Sequence, residues 1–364
     1  MSSSEPGRPE KQPPATYGFA RNERPGVSDV PPVPRALEAD RSDPMSEPAP
    51  RPYPDGWFPV ASSAEMRPGR VVNRRLAGED VVVYRTQSGR LRAVRPYCPH
   101  LGAHLGHGGR VRGENLVCPF HHFAFGPEGE CVQTGYGTTP PKARLGVLEC
   151  REAAGLVFVW RHARGAPASW EIEEPSTDGF GPPHCTVRTL RAHPQDFMEN
   201  VIDTGHFQPV HKFSAGVLDA PHFDGPRMTS TYRLRGAAGK ANALFNLAPT
   251  TRMVVQGLGI LFTEADLRTI GMQLRTWFCV APLDPGRIEL RTALSVRFPR
   301  LRHRGTARIL AATLPKPLVW ASGRDINRDG PIWANKIYLE HPRLAQGDGP
   351  ITKYRRWARQ FYSD

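Results

Sequence analysis

Two short segments carry the residues most able to do chemistry. They are Cys98-Pro-His100-Leu-Gly and Cys118-Pro-Phe-His121, with seventeen residues between His100 and Cys118. Each offers one thiol and one imidazole. A [2Fe–2S] cluster with mixed ligation takes both thiolates on one iron and both imidazoles on the other. Two loops that each supply one Cys and one His can clasp such a cluster from both sides, and the spacing suits a hairpin that brings them together. Pro99, Gly102 and Pro119 fit tight loops whose backbone N–H groups face the sulfurs. A structural zinc site is the other use of two Cys and two His, but zinc fingers usually pair Cys with Cys and His with His. Cys131 and Cys150 do not extend the pattern and read as packing residues; His104, His107 and His122 are out of register and read as surface or packing residues.

A second constellation lies in Asn200-Val-Ile-Asp203-Thr-Gly-His206-Phe-Gln-Pro-Val-His211. Two imidazoles and one carboxylate on one side of an ion form the facial triad of non-haem Fe(II) sites, which leaves positions open for oxygen and substrate. On a helix, Asn200, Asp203 and His206 share one face. His211 would diverge from His206 by about 140° in a regular helix. Pro209 lies between them and removes a backbone donor, so a bend or break there can swing His211 back. The third ligand must come from far along the chain. Asp325 and Asp329 are both candidates, and the residues alone do not choose between them.

The elements that position these groups are short strands first and mixed structure later. Val81–Tyr84 and Leu91–Arg95 read as a hairpin around the Ser88-Gly89 turn, and Phe123–Phe125 and Leu156–Trp160 continue the β pattern. Asp196–His211 reads as helix. Gln273–Ala281 and Arg287–Phe298 read as long strands around the Pro282–Gly286 turn, and residues 332–364 include helix. The expected organisation is α+β. A Pro-rich tail over residues 1–50 is followed by an all-β domain over 51–165 and a mixed domain over 166–364. The tail holds eleven prolines and almost no large apolar residues, so it is expected to be disordered. Met45 is a possible alternative start.

Composition narrows the classes further. The chain has 364 residues, 39% of them hydrophobic, and no run long enough to cross a bilayer. Six thinly spread cysteines, at 98, 118, 131, 150, 185 and 279, are not a disulfide framework and fit a reduced, cytoplasmic setting. The net charge is +13; residues 1–50 carry −2, so the body carries +15. The basic residues are mostly scattered Arg without a basic helix or an aromatic stripe, which argues against nucleic acid. They fit a solvated surface or a docking face for an acidic electron carrier.

The order and spacing of these motifs, from Trp57 to the C-terminus, resemble the oxygenase components of Rieske non-haem iron oxygenases. The resemblance implies an N-terminal Rieske [2Fe–2S] domain followed by a helix-grip, START-like catalytic domain with a mononuclear Fe(II). It implies Cys98, His100, Cys118 and His121 on the cluster. It implies His206, His211 and Asp329 on the iron, because Asp329-Gly-Pro-Ile-Trp333 matches the pattern of the later ligand. Asp203 is then the residue that links the two metal systems across subunits of a homotrimer. Electrons would come from NAD(P)H through a reductase and usually a ferredoxin, with O2 as oxidant. Within the family the chain is most similar to the cholesterol 7-desaturase and 3-ketosteroid hydroxylase group, through Tyr97–His104, Pro140–Arg144, Asp348-Gly-Pro350 and Tyr354–Tyr362. This implies a small hydrophobic, polycyclic substrate, steroid- or terpenoid-like, that is hydroxylated or desaturated. Cys118-Pro-Phe-His-His122 also resembles aminopyrrolnitrin oxygenase, which implies arylamine N-oxygenation or another tailoring reaction, such as oxidative cyclisation, as the alternative. Many steroid-type members have Gly-Trp where His122-Phe123 stands here. A Rieske electron carrier with no substrate is the reading from another class.

Overall fold

Alternation of buried and exposed residues builds most of the molecule. In Arg227–Gly236, Met228, Ser230, Tyr232 and Leu234 are buried and their neighbours face outward, the period of a sheet with one covered face. The computed structural model describes residues 50–236 and 247–363. The expected tail therefore lies almost wholly outside the described residues. From Ala49 onward the chain forms one compact unit.

Three small antiparallel sheets occupy the first part of that unit. Gly56–Ser62, Leu156–Arg161 and Cys150–Ala153 form one. Val71–Leu76, Glu79–Arg85, Leu91–Val94 and Val147–Leu148 form the second. The third, Arg110–Arg112, Asn115–Val117, Ala124–Phe125 and Cys131–Gln133, carries the loop of Cys118 and His121. The expected hairpin is present, with Val82 opposite Val94.

The second part is a seven-stranded antiparallel sheet. Its order is His184–Arg191, Arg287–Arg297, Met272–Asp284, Ile260–Leu267, Thr250–Gln256, Arg227–Gly236 and Phe213–Asp224. Helices α1 (Pro194–Glu199), α2 (Arg304–Thr313), α3 (Pro315–Ile326), α4 (Gly330–Asn335) and α5 (Ile351–Ala358) accompany it. The two parts share apolar cores. Trp57 and Trp160 pack with Val254, Phe262 and Trp277, and Phe58 and Val159 with Ala281.

The C-terminal segment clamps α1. Arg355 donates twice to the buried Glu199, Nε to Oε2 at 2.7 Å and Nη2 to Oε1 at 3.0 Å. The Tyr354 hydroxyl donates to the Gln195 carbonyl at 2.9 Å. Just before α5, Gly349 lies so close to the chain ahead of Asp203 that a Cβ would sit 1.7 Å from the Ile202 carbonyl oxygen. A backbone atom cannot step aside as a side chain can. Gly349→Ala is therefore expected to cost about 2 kcal/mol or more, read as a lowered Tm in a thermal melt.

Candidate metal centres and substrate cavity

Two tight loops bring the four residues of the first constellation together. The Cys98 N–H donates to the Ala103 carbonyl, and the Gly102 N–H donates back to the Cys98 carbonyl, both at 2.9 Å. Gly102 closes that turn at φ +75°, where a side chain would be strained. In the other loop the Cys118 N–H donates to the Phe123 carbonyl at 2.8 Å. The thiols of Cys98 and Cys118 lie against each other, buried. Burial, with Cys118 adding to it, pushes the Cys98 thiol up to about 11, so a metal must displace its proton. The rings of His100 and His121 meet at 4.8 Å between centroids, and His100 stacks on Phe123 at 4.2 Å.

The donors are thus sorted, sulfur with sulfur and imidazole with imidazole. That suits a two-iron cluster with one iron at each end. A zinc ion would draw all four donors around one centre. Among the described residues, two sets of three or more donors gather within 4.8 Å, and these four residues are not one of them. The sulfur end is buried, and the imidazole end is rimmed by the exposed side chains Leu101, Phe120 and Tyr136.

His206, His211 and Asp329 are one of the two gathered sets. The expected helix over 196–211 is not continuous. Helix α1 ends at Glu199, a 3-10 turn spans Thr204–His206, and a π turn spans Phe207–His211. The Lys212 N–H reaches the Phe207 carbonyl, five residues back, and Lys212 ends the turn at φ 62°. A wider turn with i→i+5 bonds brings residues five apart onto one side. Pro209 inside it has no N–H to lose. The His206 and His211 rings consequently face each other at 5.1 Å between centroids.

Asp329 reaches this pair from the start of α4. Its Oδ2 lies 3.2 Å from His211 Nε2 and its Oδ1 3.9 Å from His206 Nε2. Asn200 Nδ2 donates to the same Oδ1 at 3.2 Å. Asp325, the other carboxylate the sequence offers, lies on the opposite side of the His211 ring, with Oδ1 3.4 Å from Nδ1. Burial works against a charged His211, but Asp325 and Asp329 outweigh it and hold its pKa up at about 9. His206 Nδ1 is bound by the Asp203 backbone carbonyl at 2.5 Å, with the Asp203 carboxylate 3.5 Å away. Burial raises Asp203, and contact with His206 prevails and lowers it. Two imidazoles and a carboxylate, with both Nε2 atoms turned to one point, fit a divalent iron.

The second gathered set is Asp80, His104 and His107. Two of its residues, Asp80 and His104, already have partners. His104 Nε2 meets Asp80 at 3.1 Å, and its Nδ1 accepts the Gly106 N–H at 3.1 Å. Asp80 also accepts from Asn73 and Arg75. These residues brace the loop after Cys98.

The iron-type set opens into a cavity of about 210 Å³ between the large sheet and helices α1, α3 and α4. Its wall includes Phe197, Phe207, Met253, Leu261, Phe278 and Trp333. Among the described residues, away from the three donors and their neighbours Asn200 and Asp325, its polar side chains are hydroxyls alone: Thr251, Thr263, Thr276 and Ser322. Within the apolar stretch 245–261, Met253 and Leu261 line the cavity, while residues 245 and 246 lie outside the described residues. Most of the wall was missed. Its signal was the alternation within strands, which is informative only once the strands are known. Tyr97 and Tyr354–Tyr362 do not line this cavity.

Comparison with known proteins shows the family and its cofactors. The Rieske [2Fe-2S] domain matches residues 56–143, and the 3-ketosteroid 9alpha-hydroxylase C-terminal domain matches residues 159–362. The chain is 30% identical over 344 residues to a cholesterol 7-desaturase of Xenopus laevis, covering 86% of this chain and 72% of that protein. It is 25% identical over 343 residues to the oxygenase component of a 3-ketosteroid-9-alpha-monooxygenase of Rhodococcus rhodochrous, covering 90% and 88%. The solved structure of Pseudomonas putida CBB5 NdmA with caffeine shares the fold, with a TM-score of 0.63, 18% identity, and coverage of 83% of this chain and 89% of that one. The chain belongs to the Rieske non-haem iron oxygenases, as an oxygenase component of α+β fold whose cofactors are a [2Fe–2S] cluster and a non-haem iron and whose second half is the 3-ketosteroid 9alpha-hydroxylase C-terminal domain.

Proposed function

We propose that this oxygenase oxidises an uncharged, mostly apolar polycyclic substrate, steroid- or terpenoid-like, by hydroxylation or desaturation. The observation that carries this is the cavity wall. Among the described residues it is apolar apart from hydroxyls and presents no charged side chain beyond the metal-facing set and Asp325. An ionised substrate would lose its hydration there with no partner. The relatives named as acting on cholesterol or a 3-ketosteroid support the same class.

In this reading residues 51–165 carry the cluster on Cys98, His100, Cys118 and His121. Residues 166–364 carry the iron on His206, His211 and Asp329. The cluster supplies single electrons and the iron supplies O2 activation. The chain supplies everything else. Cys98 and Cys118 give up their protons on loading. Asn200 fixes the Asp329 carboxylate, and the Asp203 carbonyl fixes the His206 ring. Phe197, Phe207 and Trp333 exclude water and hold the substrate body beside the donors. The exposed Leu101, Phe120 and Tyr136 around the imidazole end fit a contact with a second copy of the chain in a homotrimer. A ferredoxin or an NAD(P)H-dependent reductase in the cytoplasm would deliver the electrons. Among the described residues no helix is long and apolar enough to cross a membrane.

The test is turnover of the reconstituted holoenzyme with O2, NADPH and a generic ferredoxin–reductase pair, followed by mass spectrometry. A steroid should gain one oxygen or lose two hydrogens. Conversion of an arylamine alone would favour the tailoring reading. Ala265→Trp, which fills the cavity from the sheet side, should raise the Kd for a steroid by at least about tenfold and leave iron content unchanged.

A further inference from the structure

His211 stands between two carboxylates, and only one of them faces the other imidazole. Its Nε2 is 3.2 Å from Asp329, which also faces His206. Its Nδ1 is 3.4 Å from Asp325 Oδ1. Both of these last atoms are buried and neither makes a hydrogen bond, so their 3.4 Å approach to each other and the Arg328 ion pair to Oδ1 are the contacts they have among the described residues. A polar atom left unpaired in such a place is costly, so each is the other's natural partner.

Asp325 is itself held in place. It sits near the end of α3, one helical turn before Asp329. Arg328 Nη1 lies 3.5 Å from Asp325 Oδ1 and donates to the His211 carbonyl at 3.0 Å. One guanidinium thus ties the carboxylate to the backbone of the residue it faces. The other two donors already have their braces, His206 in the Asp203 carbonyl and Asp329 in Asn200. Among the described residues, Asp325 is the polar group that faces Nδ1 of His211.

We propose that Asp325 is the positioning residue of His211. It accepts a hydrogen bond from Nδ1–H, fixes the tautomer that leaves Nε2 free for the ion, and holds the ring so that Nε2 faces the point toward which His206 and Asp329 also turn. The inference rests on the ligand set proposed above. It removes Asp325 from the ligands and gives it a separate task. Carboxylates behind a metal-bound imidazole act in this way in other metal sites.

The test uses full-length holoenzyme with Asp325→Ala, Asp325→Asn and, as control, Asp329→Ala. Fe(II) affinity is measured anaerobically against a competing chelator, and the electron-paramagnetic spectrum of the nitric oxide adduct reports ligand geometry. Asp325→Ala should bind Fe(II) about 10–100-fold more weakly and give an altered nitrosyl spectrum, with the cluster signal unchanged. Asp325→Asn keeps an oxygen that can accept from Nδ1 and should restore most of the affinity. Wild-type affinity and spectrum in Asp325→Ala, with iron lost from Asp329→Ala, would overturn this inference alone. Loss of iron from both Asp325 variants as complete as from Asp329→Ala would also overturn it, by making Asp325 a ligand. Normal iron binding by Asp329→Ala would overturn the ligand set, and the inference with it.

Discussion

Cys118→Ser is expected to yield a folded chain that has lost its red-brown colour and, after reduction, its electron-paramagnetic signal. Cys118 and Cys98 lie against each other in the buried end of the loop pair. Two thiolates there would bind one iron, and a serine hydroxyl does not ionise in such a setting. Neither neighbouring cysteine can substitute. Cys131 belongs to another strand, and Cys150 points to the Leu91 carbonyl. Iron content should drop from about three per chain to about one, since the cluster accounts for two and the mononuclear site for one. Turnover with reductase should vanish. His206→Ala gives the complementary result, with the cluster signal intact and iron at about two. A colourless wild-type protein holding stoichiometric zinc after anaerobic iron reconstitution would defeat the cluster assignment.

The first constellation is legible in sequence because each loop supplies its ligands within four residues. No long-range fold has to be guessed. The second is legible only in part. His206 and His211 are five apart, and a regular helix would separate them. The π turn that unites them is a backbone choice that Pro209 hints at without specifying. Asp329 arrives from 118 residues later, and Asp325 competes with it at the level of composition. Only the two ring nitrogens of His211 tell the carboxylates apart. In the large sheet, Met272–Asp284 and Arg287–Arg297 are apolar and share a clear turn, so they are readable. His184–Arg191 and Phe213–Asp224 are edge strands with many exposed polar residues, and their pattern is lost among loops. The C-terminal Tyr354–Tyr362 segment lies within the match to the 3-ketosteroid 9alpha-hydroxylase C-terminal domain, yet it clamps α1 and does not line the cavity. Its likeness reports the fold. The substrate class rests on the wall instead.

Asp203→Ala is expected to keep both metal centres and lose turnover. The reason lies in which atom of Asp203 braces His206. The backbone carbonyl takes Nδ1 at 2.5 Å, while the carboxylate stays 3.5 Å off and its side chain is 33% exposed. Deleting the carboxylate leaves the ring's hydrogen bond in place, so His206 should still present Nε2 and most of the iron should remain. The carboxylate has a different opportunity. It sits at the surface beside a ligand of one centre, and the imidazole end of the cluster also lies near the surface, within an apolar rim. In a trimer where one subunit's His100 or His121 approaches another's Asp203, the carboxylate would accept an imidazole N–H and join the two ligand sets. Turnover in Asp203→Ala should fall by about 100-fold, the upper end for a group behind a metal ligand. The reduced cluster should persist in the presence of O2 and substrate when followed by stopped-flow absorbance. Asp203→Asn keeps the shape without the charge and should fall between. Wild-type rates in Asp203→Ala, measured with the same reductase, would make Asp203 a bystander.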